Sequence, residues 1–143
     1  MPICGWQQCS HEAASFERGG ELSVADVLDA AEVVSWWCRN DPPVVGIPTP
    51  SGKMWPDFIY CAGRSDGSSM GFIEVKGEIF WDGQGSEARV KARGAYEWSV
   101  ALASAGCSPR WEFCEILEQD ALRVRTLEEI RSDAVVCDNW DRP

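Results

Sequence analysis

Asp57, Glu74 and Lys76 are the residues with a chemical use in common. Asp57 opens an apolar, β-prone stretch, Phe58–Cys61, and Glu74 and Lys76 close a second one, Met70–Val75. Between them, Gly63 to Ser69 is built of turn residues. Side chains alternate across a strand, so Glu74 and Lys76 point to one face and Val75 to the other. Pairing of the two strands as a hairpin brings Asp57 beside Glu74. Two carboxylates and an ammonium on an apolar sheet are costly to bury uncompensated. A hard divalent cation compensates them. Mg²⁺ takes oxygen ligands and keeps several waters, so Asp57, Glu74 and the backbone carbonyl of Val75 suffice, and Mn²⁺ is expected to substitute. Lys76 is placed to orient or deprotonate a water on that ion, which becomes the nucleophile for in-line attack on a phosphodiester. Removing one of two close carboxylates relieves repulsion, so Asp57→Ala is expected to hold or gain stability without metal.

The elements that must position these residues are legible in outline. Residues 1–20 read as a leader ending in Gly19-Gly20, and residues 133–143 as a tail, leaving a domain over 21–132. Ser23 with Asp26 resembles a helix N-cap, and Val24, Val27, Leu28 and Ala31 recur at helical spacing. Val34–Arg39 is a predicted strand, Asn40-Asp41-Pro42-Pro43 a turn, and Val44–Pro48 a second short strand. Trp36 and Trp37 are expected in the core and on the sheet cover. Glu87–Ala103 is the major predicted helix, with Val90, Ala95, Trp98, Ala101 and Leu102 near one face. Arg110–Glu118 is predicted to return as a strand beside the hairpin, carrying Trp111, Phe113 and Glu115 on one face and Cys114 and Ile116 on the other. Leu122–Arg125 is expected as an edge strand. Thr126 with Glu129 forms a capping box for a last short helix. A strand-rich centre, a helix and a returning strand make an α/β sandwich with a central mixed sheet flanked by helices.

P-D-F at 56–58 followed by I-E-V-K at 73–76 resembles the PD-(D/E)XK nuclease signature. The blocks W-W-C-R-N at 36–40, G-I-P at 46–48, W-P-D-F at 55–58, E-V-K-G at 74–77 and K-A-R-G-A-Y-E-W at 91–98 are similar to the nuclease domain of type III restriction endonuclease subunits. Endonuclease subunits of some cut-and-paste transposases carry a similar core. The resemblance covers roughly residues 20 to 118. It implies a restriction-endonuclease-like fold and a Mg²⁺-dependent DNA endonuclease acting in restriction, defence or mobile-element processing. It implies Asp57, Glu74 and Lys76 as catalytic residues, and Asp57, Glu74 and Val75 as metal ligands. Arg39, Asn40 and Lys91 match positions where contacts to the DNA backbone are expected; the alternatives are hydrogen bonding that shapes the turn for Arg39 and Asn40, and an ordinary exposed helix position for Lys91. Such nucleases often add a glutamate from the first helix; Glu17, Glu21 and Glu32 are the candidates, and Glu78 and Asp82 are further acids in the loop after the site. The alternative is a catalytically silent nuclease-fold module that binds protein or nucleic acid.

The charge argues for help with the substrate. Thirteen Lys and Arg stand against 23 Asp and Glu, a formal net charge of −10, whereas a protein that grips phosphates has a basic face. Either the basic residues gather on one face or DNA is delivered by a protein partner or a second copy in a homodimer. No G-x-x-x-x-G-K-[ST] motif is present, so ATP-driven work must come from a partner. No apolar run approaches a membrane span and the N-terminus lacks signal-peptide character, so no membrane association and a cytoplasmic location are expected. Of seven cysteines, Cys38, Cys61, Cys107, Cys114 and Cys137 are scattered and expected as buried thiols. Cys4, Cys9 and His11 lie close together, but C-x4-C-x-H is not a recognised zinc spacing and lacks a fourth ligand. A cysteine nucleophile would need a base, and His11 is the only histidine.

Overall fold

The expected hairpin is the middle of a four-stranded sheet, and its strands run further than expected: Gly63 and Arg64, read as turn residues, pair with Ser68 and Gly67. The computed structural model describes residues 2–4, 6–8, 13–15, 19–41, 43–64, 67–77, 87–107 and 109–134. Its elements are β1 (Pro2–Cys4), β2 (Ala13–Ser15), α1 (Gly19–Ala30), β3 (Val34–Arg39), β4 (Phe58–Arg64), β5 (Gly67–Lys76), α2 (Glu87–Ser104), β6 (Arg110–Leu117), α3 (Glu118–Ala121) and α4 (Leu127–Asp133). β1 and β2 form a separate antiparallel pair. The main sheet runs β3-β4-β5-β6, antiparallel across the first two junctions and parallel between β5 and β6. The chain is therefore α/β, with a mixed sheet flanked by helices.

Strand alternation sorts the core into two layers. Trp37, Phe58, Tyr60, Ala62, Ile73, Val75, Cys114 and Ile116 face α1 and α4, meeting Val24, Leu28, Leu127 and Ile130. Ile59, Phe72 and Phe113 face the other way and meet Ala92 and Ala95 of α2. Each large side chain buried here contributes roughly 1.5–3 kcal/mol. Tyr60 closes the first layer in a specific way. It lies across from Gly71, and a Cβ added at Gly71 would stand 2.0 Å from its Cζ. Its hydroxyl bonds Glu112, whose carboxylate also holds Arg131 of α4 at 2.8 Å.

Several expectations needed correction. The first helix begins at Gly19, a turn before the expected cap; Ser23 instead donates its hydroxyl to the Gly19 carbonyl at 3.1 Å. The first-turn donor at Gly20 is taken by Glu118, 98 residues away, at 2.8 Å. Val44–Pro48 is not a strand but contributes one isolated bridge, Ile47 to Met54. Leu122–Arg125 is not a strand either: Leu122 caps the short helix α3, and Val124 turns into the core. Thr126 does cap α4, accepting from the Glu129 N–H at 3.1 Å. Trp37 is buried and Trp36 half-exposed. Among the cysteines expected to be buried, only Cys114 of the four described is fully so, Cys38 and Cys61 are half-buried, and Cys107 is exposed. Cys9, His11, Cys137, Glu17, Glu78 and Asp82 lie outside the described residues, as does the side chain of Cys4.

One feature lies at the sheet's outer edge. The Trp37 N–H donates away from β4, to the Gln8 carbonyl at 2.9 Å. Asp29 of α1 accepts from the Gln7 and Gln8 N–H groups and from the Trp37 indole, and Trp6 packs edge-on against Trp37 at 5.1 Å.

Candidate functional site

Register alone sets the site. Phe58 pairs with Ile73, so Asp57, one residue earlier, comes level with Glu74. Glu74 in turn pairs with Glu115 across the parallel β5–β6 junction, and Lys76 with Leu117. Glu74, Lys76 and Glu115 share the alternation of Phe72 and Phe113 and so lie on the α2 side. Arg39 ends β3 with the alternation of Trp37, over the Phe58 ring on the α1 side. All these residues gather at one end of the sheet, and Asp57 meets both groups there.

Asp57 is held from three directions. Its Oδ1 accepts from Arg39 Nη1 at 3.0 Å, its Oδ2 accepts from the Val75 N–H at 2.8 Å, and its carboxyl is hydrogen-bonded to Glu74. Arg39 Nη1 also reaches the Asp57 carbonyl at 3.0 Å, and Nη2 pairs with Glu21 Oε2 at 3.0 Å. Glu21 lies in the first turn of α1 and is buried. Of the two candidate glutamates among the described residues, Glu21 is tied to the site, through Arg39, while Glu32 falls after α1 and is exposed. Arg39 is almost fully buried and committed to this bridge.

Asn40 is likewise engaged internally. Its amide donates to the carbonyls of Val45 and Pro56, both at 2.9 Å, and accepts from the N–H groups of Val44 and Val45. Its own N–H bonds the Asp57 carbonyl at 2.8 Å. The Arg-Asn pair expected to reach phosphates therefore grips the Pro56-Asp57 segment from behind. Lys91, on α2, is half-buried and pairs with Glu87 at 2.9 Å along the helix.

Glu115 is the residue that sequence reasoning passed over. It is completely buried, and neither carboxyl oxygen has a hydrogen-bond partner among the described residues. Its signal was an acid on the Trp111–Phe113 face of an apolar strand. Burial, first, pushes Glu74 well above the ordinary carboxylate range, and the hydrogen bond and charge of Asp57 and then Glu115 add to it, against Lys76. Burial raises Glu115 strongly too; Lys76 opposes this and Asp57 reinforces it. Burial thus disfavours the charged form of both carboxyls in the metal-free protein.

The donor chemistry fits a hard divalent cation. The groups offered by Asp57, Glu74, Glu115 and the Val75 backbone are oxygens, with no thiolate or imidazole between them. Four acids, Glu21, Asp57, Glu74 and Glu115, face two cations, Arg39 and Lys76, so the ionised cluster carries excess negative charge. Among the described residues no three acidic, histidine or cysteine side chains make a ready-made cage. Mg²⁺ does not require one: it is held by one or two carboxylates and keeps waters elsewhere. Each carboxylate oxygen accepts twice, so the Arg39 and Val75 bonds leave capacity on Asp57.

Comparison with known proteins finds no matching family model, no matching curated protein and no matching solved structure. No helix among the described residues is long and apolar enough to cross a membrane.

Proposed function

We propose that this chain is a Mg²⁺-dependent DNA endonuclease module with a restriction-endonuclease-like core. The observation that carries the reading is the meeting of Asp57, Glu74 and Lys76 at one end of the sheet, with the Asp57 carboxyl bonded to Glu74. The order helix, three antiparallel strands, helix and parallel return strand agrees with the core implied by the PD-(D/E)XK resemblance. Asp57 and Glu74 would hold the ion by carboxylate and Val75 by its carbonyl. Bound there, Mg²⁺ supplies Lewis-acid activation of water and of the scissile phosphodiester.

The chain's own residues do the rest. Arg39 and Asn40 fix Asp57, so its carboxylate is preorganised before any ligand arrives. Lys76 orients the attacking water and presents its ammonium to the charge that builds on the phosphate. Lys91 is the residue offered to the DNA backbone from α2. The setting in restriction, defence or mobile-element processing rests on the resemblance.

The net charge of −10 disfavours a grip on phosphates, and the internal engagement of Arg39 and Asn40 takes two of the expected contacts out of play. We therefore assign DNA delivery to a partner subunit or a second copy of this chain. The same observation favours the second reading, a silent nuclease-fold module that docks on a partner. Lys76→Met separates the two. In the nuclease reading, DNA cleavage with Mg²⁺ or Mn²⁺ falls by about 10²–10⁴-fold while Mn²⁺ binding persists. Cleavage that survives EDTA, or that Lys76→Met leaves at the wild-type rate, overturns the assignment.

A further inference from the structure

We infer that Glu115 is a third carboxylate of the cation site, a positioning residue that recruits a hydrated divalent ion to Asp57 and Glu74 from the neighbouring strand. The inference rests on the metal-binding part of the reading above and extends it to a residue outside the Asp-Glu-Lys motif.

A carboxyl group in the middle of a sheet is normally excluded or satisfied, because burying it without partners forfeits its hydration with nothing in return. Glu115 is completely buried, and both its oxygens lack a hydrogen-bond donor among the described residues. Backbone register sets it directly beside Glu74 on β5, and alternation turns both side chains to the α2 side. The charges acting on it are Lys76 and Asp57, the other members of the site. Its nearest neighbours along its own strand face are Phe113 and Leu117, whose side chains have no donor to offer a carboxylate. A leucine would fill this position at no electrostatic cost, so the acid has a use that the free protein does not display.

A hydrated cation supplies what is missing. Mg²⁺ and Mn²⁺ held by one or two carboxylates keep several waters, and every such water points its hydrogens outward. Those hydrogens need acceptors, and two unused oxygens lie in the adjacent register position. This arrangement is consistent with the absence of a three-residue cage among the described side chains, because Glu115 acts through water and through its charge. Outer carboxylates of this kind typically change metal affinity by about 10–100-fold.

The test is Mn²⁺ titration of the full chain by calorimetry, for the wild type, Glu115→Gln and Glu115→Asp. Glutamine keeps the shape and removes the charge; aspartate keeps the charge. The expected result is a rise in Mn²⁺ Kd of about 10–100-fold for Glu115→Gln, with smaller loss for Glu115→Asp, and a folded, no less heat-resistant metal-free Glu115→Gln protein. A Glu115→Gln variant that binds Mn²⁺ within about threefold of wild type overturns the inference. So does a Glu115→Gln variant that loses stability without metal, which would make the residue structural. A wild type that binds Mn²⁺ through Glu115 but never cuts DNA sinks the nuclease reading and leaves this inference standing. A wild type that binds no Mn²⁺ sinks both.

Discussion

Asp57→Ala is the most informative single substitution, because sequence and structure disagree on its sign. Viewed as one of two repelling carboxylates, Asp57 should be removable at no cost to stability. The structure replaces that expectation. Asp57 accepts a charged hydrogen bond from buried Arg39 and a backbone bond from Val75, and burial shifts Glu74 beside it toward the uncharged form, which eases the repulsion. Alanine leaves the Val75 N–H without an acceptor, a loss of about 1–3 kcal/mol, and strips one charged bond worth roughly 1.5–3 kcal/mol. Arg39 keeps Glu21 and the Asp57 carbonyl, so its guanidinium is not abandoned. Some of the loss is recovered where water enters, and a net cost of about 2–4 kcal/mol is expected. For a chain of this size that lowers Tm on the order of 10 °C. Asp57→Asn keeps an acceptor and should lie between the two. Thermal melts in EDTA, read by circular dichroism, measure this directly. A metal-free Asp57→Ala protein melting at or above the wild-type temperature would refute the claim that Asp57 is held by Arg39 and Val75.

Two further outcomes are expected. Glu74 and Glu115 have folded-state pKa values raised above the ordinary 4.5, so their protonated forms favour folding fully below 4.5 and that contribution is lost as pH rises through the folded values. Metal-free Tm should therefore be higher near about pH 5 than near about pH 8, with Glu115→Gln flattening the decline, and Mn²⁺ affinity should rise over the same interval as protons leave; a decline equally steep in Glu115→Gln would contradict this. Gly71→Ala drives a methyl into the fully buried Tyr60 ring, which is tethered through Glu112 to Arg131, and should cost about 1–3 kcal/mol or more in urea unfolding; an unchanged midpoint would show that the ring moves freely.

The residues most easily placed from sequence were those whose own periodicity decides their structure. The hairpin, β3, α2 and the Thr126 cap follow from alternation, helical spacing or a local hydrogen bond. What escaped depends on distant partners. The start of α1 is set by Glu118, far along the chain, and Val44–Pro48 cannot extend into a strand because Asn40 claims the backbone of Val44 and Val45. Arg39 reads as a phosphate contact or a turn-shaping donor until Glu21 and Asp57 are seen on either side of it. Glu115 reads as an irregularity in a strand until the parallel register sets it against Glu74.

The segment over residues 6–8 lies apart from the candidate site, yet it governs what the main sheet can join. β3 is an outer strand, and an outer strand with open N–H and C=O groups is a template for pairing with any other extended chain. Here the outward Trp37 N–H is spent on Gln8, Asp29 fastens the neighbouring N–H groups, and Trp6 roofs the indole of Trp37. The bulky Trp6 and the fixed bend of the Asp29 bonds make this cover hard to displace strand for strand. Self-association through β3 is thereby discouraged, and under the proposed reading a partner that delivers DNA would be received elsewhere on the molecule.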